Sequence, residues 1–269
     1  MPPRLVTGVI IAFWLAMTGW LIQREVVPML LADVSSVYQV DLTDQIQLGA
    51  AAFETPWVVL RDGKRVGMGK SKVIAHADDN TYEFRSVFHF DQLKIGPLFV
   101  RGMENSYRVT DESRLLEMSA RITTEPGMTF EFIGKVAHQK MQRHFRLNGE
   151  EFGLNEIDLS RSQKIVNPLH LLNRLRGLRT KQTWTIPLLD PLRNAIDGAA
   201  NMTVPELIAI VEEDTLTWEK NEVACHKIEY RKRGKEEVMA RTWVRKTDGL
   251  VLQQDACDDF NLVMRRGLN

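Results

Sequence analysis

The fold is decided by residues 57–74, WVVLRDGKRVGMGKSKVI, in which two runs rich in apolar residues flank an Asp-Gly pair. Asp62-Gly63 between two such runs is typical of the two-residue turn of a β-hairpin. Similar turn signals recur along the chain, for example at Asn148-Gly149 and Asp248-Gly249. Short strands with tight turns and few interleaved helices predict an antiparallel sheet.

Working outward from this hairpin, the next segment, Thr81–Phe90, alternates apolar and mostly polar residues with a period of two. Further strands are predicted at 98–109, 114–123, 128–134, 136–147, 151–158, 183–189, 203–213, 215–219, 223–231, 236–246, 250–255 and 259–265. We therefore predict a mainly β protein, with one large curved antiparallel sheet or half-barrel over 51–269. Its two β runs, 53–159 and 182–266, are expected to be halves of one sheet.

The β pattern breaks once, at a leucine-rich segment between the two runs. Asn167-Pro168 has the residue types of a helix N-cap and first turn. Leucines at 169, 172, 175 and 178 then recur every three residues. This spacing predicts one short helix at 168–178 that lies across the sheet, either as a plug in its open side or as a lid over an apolar cavity.

An uncharged, mostly apolar run, Leu5–Ile22, precedes the β region, with Arg4 and Arg24 close to its ends. As a helix it would be about 27 Å long, close to the ~30 Å hydrocarbon core of a bilayer. We therefore predict an uncleaved transmembrane signal anchor at 1–24. The arginine distribution weakly favours a single-pass protein of the bacterial inner membrane, with its C-terminal domain in the periplasm.

The segment after this run also has a helical pattern. Leu30, Val34, Tyr38, Leu42 and Ile46 recur every four residues. We predict a juxtamembrane amphipathic helix at 25–50, which either packs on the sheet of its own domain or serves as a stalk or docking surface for a partner.

The charge balance narrows the range of partners. The chain has 35 basic and 35 acidic residues, and this balance argues against nucleic acid, which selects basic surfaces. The cysteines, Cys225 and Cys257, are expected at opposite ends of the predicted sheet with a strand between them, too far apart for a disulfide. We predict that both are unpaired.

Catalytic and cofactor motifs are missing from the sequence. The six histidines form no H-x-x-x-H or H-E-x-x-H pattern. Cys225-His226 is the one adjacent thiol–imidazole pair, and neighbouring residues on a strand point to opposite faces. The sequence also lacks a G-x-S-x-G elbow and a phosphate-binding glycine loop. We predict a protein that is not an enzyme, with no catalytic residues, cofactor or metal.

Large apolar side chains are abundant on the predicted strands and on the predicted helix. They suit a packed core, or they could line a site for an apolar ligand. The sequence leaves both interpretations open. The candidate lining residues are Trp57, Phe84, Phe88, Trp184, Trp218, Trp243, Leu172 and Leu175.

Three stretches carry a family resemblance: the Trp57–Gly67 hairpin, Gly177–Leu192, and Ala240–Val244 together with Asp248–Gln254. On these stretches the chain resembles uncharacterised, membrane-anchored bacterial envelope proteins whose β domain also precedes transglutaminase-like domains. It is more loosely similar to the periplasmic half-barrels of the LolA/LolB lipoprotein carriers. The resemblance implies an extracytoplasmic half-barrel. It supplies no catalytic residues.

Two functional hypotheses follow. The first is a membrane-anchored, non-catalytic β domain that binds a lipid, a lipid-linked group or another apolar ligand. The alternative is a scaffold or accessory subunit of an envelope protein complex, which docks through the 29–48 helix and exposed sheet edges. A hydrolase or transferase activity is the least supported of the hypotheses considered.

Overall fold

The computed structural model describes residues 4–21, 38, 54–95, 98–112, 114–159, 170–187, 206–257 and 261–267. Its main feature is a single antiparallel sheet of fourteen strands. In chain order, the strands are β1 (Thr55–Arg61), β2 (Lys64–His76), β3 (Thr81–Ile95), β4 (Leu98–Thr110), β5 (Leu115–Glu125), β6 (Thr129–Ala137), β7 (Lys140–Leu147), β8 (Glu150–Asp158), β9 (Thr183–Pro187), β10 (Glu206–Trp218), β11 (Asn221–Lys232), β12 (Val238–Arg245), β13 (Val251–Ala256) and β14 (Leu262–Arg266). The prediction of a mainly β protein is confirmed.

The sheet is built from two meanders that meet at the first and last strands. Strands β1 to β8 follow one another on one side, strands β9 to β14 follow on the other, and β1 pairs with β14. In this pairing Trp57 lies opposite Arg266, and Val59 lies opposite Met264. The prediction that the two β runs form halves of one sheet is therefore confirmed.

Tight turns join most neighbouring strands. Asp62 and Gly63, with φ of 52° and 74°, connect β1 to β2, and Asn148-Gly149 connects β7 to β8. Positive φ at both central residues gives a turn whose twist matches that of the flanking strands. The same geometry allows the chain to return directly to its neighbour, so within each meander a strand pairs with the next along the chain.

One large apolar cluster contains side chains from all the strands, β1 to β14. A smaller cluster of Leu216, Cys225, Trp243 and Leu252 lies apart from it. Neither Cys225 in that cluster nor Cys257 forms a disulfide, as predicted. Burial raises the pKa of the Cys225 thiol.

The prediction of a transmembrane anchor at 1–24 is wrong. The helix α1 (Arg4–Leu21) contains 18 residues and begins with a charged side chain. Its uncharged part therefore rises only about 25 Å, less than the ~30 Å of bilayer hydrocarbon. Within the described part of the chain, no helix combines the length and the apolar character that crossing a membrane requires. The predicted localisation, a single-pass inner-membrane protein with a periplasmic C-terminal domain, fails with the anchor.

The predicted juxtamembrane helix at 25–50 is not supported either. Apart from Tyr38, the segment lies outside the described residues. Tyr38 itself is not helical. Its ring lies 4.9 Å from that of Trp184, and its hydroxyl donates a hydrogen bond of 2.8 Å to the carbonyl oxygen of Arg176. The tyrosine that the four-residue pattern assigned to a helix face thus packs against β9.

The predicted helix at 168–178 is also wrong for its described part, residues 170–178, which has no helical backbone. This segment hydrogen-bonds to the β12–β13 turn and the start of β13, and its internal bond from the Leu172 amide to the His170 carbonyl spans only two residues. The amide of Leu175 donates to the carbonyl of Gly249 at 2.8 Å, and the amide of Val251 donates to the carbonyl of Asn173 at 3.0 Å. Leu171, Leu172 and Leu175 belong to the large cluster, so the leucine spacing reflects burial of this crossing segment.

Gly177→Ala distinguishes the crossing segment from a helix. Gly177 has a φ of 73°, and a Cβ there would meet nothing within 4 Å. We therefore expect the substitution to destabilise the protein by about 1 kcal/mol, because an alanine is strained at positive φ. In a helix the same change would stabilise by about 1 kcal/mol.

Urea unfolding measures the sign of this effect. Gly153→Ala is the matched control, since Gly153 lies in β8 at ordinary φ with open space around its Cα. Its substitution is expected to be neutral or slightly stabilising. A stabilising effect of Gly177→Ala would contradict the described backbone.

Candidate functional site

The eight predicted lining residues fall into two groups. Six of them pack together in the large cluster, each less than a tenth exposed: Trp57, Phe84, Phe88, Trp184, Leu172 and Leu175. The other two, Trp218 and Trp243, belong to the smaller cluster. The structure thus brings most of these residues together and separates the last two.

The six clustered residues have the properties of a core. A ligand-sized cavity among them would leave several of their side chains open to water inside it, whereas all six are nearly fully buried. Phe84 also contacts the His170 imidazole, with ring centroids 5.2 Å apart. A role for the eight residues in ligand binding stays a prediction, and accessible surface has to be sought elsewhere.

An open cleft large enough for a small ligand lies at one end of strands β3, β4 and β5. A cleft of about 400 Å³ opens there, within the ~300–1,000 Å³ range of small-molecule sites. We refer to it as the β3–β5 cleft. Its lining residues are Asp91, Leu93, Phe99, Val100, Arg101 and Glu125.

Irregular strand pairing produces this cleft. The register between β3 and β4 shifts between His89 and Leu93, and the register between β4 and β5 shifts between Val100 and Gly102. Extra residues in a strand leave the ladder locally unpaired and bend the strand. Asp91 and Arg101 lie in these two irregularities, so neither residue has a partner in the strand registers.

The cleft combines an apolar base with a charged rim. Leu93 and Val100 are buried in the large cluster and close the base. Phe99 is 49% exposed, and the ammonium of Lys94 lies 5.4 Å from its ring centroid. An exposed aromatic ring beside a cation offers a surface on which an apolar or aromatic group can pack.

An ion pair forms the rim. The Nε of Arg101 donates to Oε1 of Glu125 at 2.7 Å, and Nη1 donates to the carbonyl oxygen of Asp91 at 3.3 Å. Both side chains of the pair are about half exposed. Such an exposed pair contributes little to stability, typically about 0–1 kcal/mol, so a ligand could replace one partner at low cost.

Charged groups surround the opening of the cleft. Two carboxylates and one guanidinium surround the opening, and its lining contains no histidine, cysteine or serine. Within the described residues, no group of three potential metal ligands is found. The arrangement can hold a ligand that has an apolar body and a charged or polar end.

The chain has a weak likeness to a solved structure. A similar solved structure is that of a beta-barrel-like protein of domain of unknown function DUF1849 from Brucella abortus. It shares 13% identity and a TM-score of 0.43 with this chain, over 82% of this chain and 98% of that one. No protein-family model matches the chain, and no curated protein matches it significantly. The comparisons give no support to the transglutaminase-associated or LolA/LolB resemblance.

Proposed function

We propose that this protein is a non-catalytic binding domain, and that the β3–β5 cleft holds a small amphipathic ligand such as a lipid or a lipid-like anion. The observation that carries the proposal is the exposed Phe99 beside the Arg101–Glu125 pair, above a buried apolar base. The apolar part of the ligand packs on Phe99. Its anionic end pairs with Arg101 in place of Glu125.

The dye 1-anilinonaphthalene-8-sulfonate tests the cleft, because it combines aromatic rings with a sulfonate. We expect saturable binding of one dye per full-length chain and at least a fivefold loss of affinity in Phe99→Ala. Burying a phenyl ring contributes on the order of 1.5–3 kcal/mol, so a fivefold loss is a lower bound. Fluorescence titration measures the affinity.

Phe152→Ala is the matched control. Phe152 is 47% exposed and lies in β8, outside the lining of the β3–β5 cleft. Its replacement should leave dye affinity unchanged. The proposal would be contradicted if Phe99→Ala bound the dye with unchanged affinity. It would also be contradicted if only Phe152→Ala lost affinity for the dye.

Organic extraction of the purified chain, followed by mass spectrometry, addresses the natural ligand. A lipid or lipid-like anion that co-purifies with the wild-type chain, and is depleted in Phe99→Ala, would support the proposal. A lipid retained equally by both proteins would contradict the assignment to this cleft.

Docking of a partner protein is the second candidate function, and the packed interior favours it. A domain whose large cluster is a filled core has its outer surfaces and strand edges available for contacts. In the described sheet, β8 is an edge strand, and its exposed Phe152 lies beside Phe145, with ring centroids 6.4 Å apart. Dye binding that depends on Phe152 instead of Phe99 would favour this alternative.

A further inference from the structure

Arg266 occupies an unusual position in the fold. It lies opposite Trp57 in the β1–β14 pairing, and its guanidinium lies 6.0 Å from the centroid of the Trp57 ring. Since Trp57 is nearly fully buried in the large cluster, the Arg266 side chain points toward the interior. Arg265, the preceding residue, points to the opposite face, because neighbours on a strand alternate.

The polar contacts of Arg266 are weak for a partly buried cation. Its Nη1 donates to the carbonyl of Val251 at 3.4 Å, and its Nη2 donates to the hydroxyl of Thr55 at 3.5 Å. Both distances lie beyond the usual 2.7–3.2 Å range. Among the described residues, no carboxylate forms an ion pair with Arg266. A guanidinium presents five donors in a planar fork, and the described part of the chain supplies acceptors for only two of them.

The surroundings of Arg266 are positive. Arg174 and Arg245 both act on it electrostatically, and Asp248 is the one acidic group that does so among the described residues. Asp248 is already engaged, because Arg245 donates to its two carboxylate oxygens at 2.9 and 2.8 Å. Burial is the largest cause that lowers the pKa of Arg266, and repulsion by the two arginines lowers it further, to about 10. Arg266 is therefore still charged at neutral pH.

Neutral polar groups complete this region. The Thr55 side chain is buried, and its hydroxyl donates a hydrogen bond to Oδ1 of Asn173, which is also buried. Asn173 belongs to the crossing segment at 170–178, whose backbone pairs with the start of β13. The Arg266 side chain thus lies where β1, β13, β14 and the crossing segment meet, and it is only partly buried.

We propose that the Arg266 guanidinium forms a binding site for an oxyanion, a phosphate or carboxylate group, at the junction of β1, β14 and the crossing segment. Two oxygens of one anion match the guanidinium fork. An anion there also neutralises a cation that the protein has partly removed from water without an ion-pair partner. This site is separate from the β3–β5 cleft and does not depend on the function proposed for it.

Thermal unfolding of the full-length chain at pH 7 tests the site, with sodium chloride exchanged for phosphate or acetate at constant ionic strength. A ligand that binds only the folded state raises Tm in a saturable manner. At tenfold excess over Kd, we expect a rise of about 3–6 °C for a chain of this size. Phosphate stabilises folded proteins in general, so the difference between variants is the readout.

Arg266→Gln should abolish the saturable rise, whereas Arg265→Gln should retain it. Arg265 is the matched control, because its Nε and Nη2 bond to Oε1 of Gln253 on the other face of the sheet. If Arg266→Gln fails to fold, Arg266→Lys is used in its place. Lysine keeps the charge but lacks the guanidinium fork, so the anion-dependent rise in Tm should fall by half or more. A response to phosphate alone or to acetate alone identifies the anion class.

The proposal is overturned if neither anion raises Tm more than chloride does. It is also overturned if the rise is the same in the wild type and in a folded Arg266 variant.

Discussion

Replacing Trp57 by alanine is expected to destabilise the protein by about 4 kcal/mol, in line with the ~3–5 kcal/mol found for large aromatic residues in cores. Trp57 is 1% exposed, and its indole Nε1 donates a 2.8 Å hydrogen bond to the Ser71 hydroxyl. It lies in β1, the strand that joins the two halves of the sheet. Its removal leaves a cavity and also exposes the guanidinium of Arg266.

Two variants control this experiment, with urea unfolding as the measurement. Trp57→Phe keeps most of the apolar burial but leaves the Ser71 hydroxyl without its donor, so a smaller loss of about 1–3 kcal/mol is expected. Trp218→Ala removes a partly buried indole from the smaller cluster and should cost less than Trp57→Ala. A loss below about 1 kcal/mol in Trp57→Ala would contradict the packed interior.

Acidification to pH 5 is expected to reduce stability by about 2 kcal/mol through His170 alone. His170 is buried between the Phe84 and Tyr107 rings, at centroid distances of 5.2 and 5.1 Å. Its Nδ1 has no hydrogen-bond partner among the described residues. Burial lowers the pKa of His170 from 6.5 to about 3, because a charged imidazole would lose its hydration without gaining a partner.

The direction of this pH effect on stability follows from proton binding in the folded and unfolded states. The folded state keeps His170 neutral, whereas the unfolded chain binds a proton as the pH falls through about 6.5. Stability due to this residue is therefore complete above that pH and is lost progressively between pH 6.5 and pH 3. At pH 5 the unfolded state has gained most of its proton and the folded state almost none, which gives the ~2 kcal/mol.

Unfolding of the wild type and of His170→Leu at pH 8 and pH 5 measures this contribution. Other titrating groups affect both proteins equally. The contribution of His170 is therefore the difference between the wild type and the variant in how much the free energy of unfolding changes with pH. The wild type should lose about 2 kcal/mol more than the variant. Equal pH dependence would show that His170 is protonated or exposed in the folded state.

The sheet could be predicted because its signals are local. Alternating residues such as Phe84 and Phe88, and turn pairs such as Asp62-Gly63, determine face and chain reversal within a few positions. The turn at His138-Gln139 was missed, and 136–147 was predicted as one strand. Both residues have positive φ without being glycine, at 50° and 64°, and their sequence carries no turn signal.

The helical predictions failed where tertiary contacts outweigh spacing. Leu172 and Leu175 recur every three residues, but their segment is not helical and hydrogen-bonds to the β12–β13 turn and the start of β13. Tyr38 fits a four-residue repeat, but its aromatic contact is with Trp184. At the N-terminus, the helix runs from Arg4 to Leu21, so its uncharged part is one residue shorter than the run Leu5–Ile22. None of these contacts can be read from a periodicity.

The β3–β5 cleft was missed, although the sequence contains a signal for it. From Phe84 to Phe90 the buried positions of β3 fall on even numbers, and they then move to Leu93. A change of phase within one strand indicates a bulge, and bulges redirect side chains near functional sites. The exposure of Phe99 follows from this irregularity, and it could not be inferred from composition.

The most direct test of the account is two-dimensional NMR of the full-length chain during titration with 1-anilinonaphthalene-8-sulfonate. The account predicts that shifts appear first at the amides of Asp91, Phe99, Arg101 and Glu125, while the indole signals of Trp57 and Trp184 stay unchanged. Shifts concentrated at those two indoles, with the amides unaffected, would place the ligand inside the sheet and contradict the account.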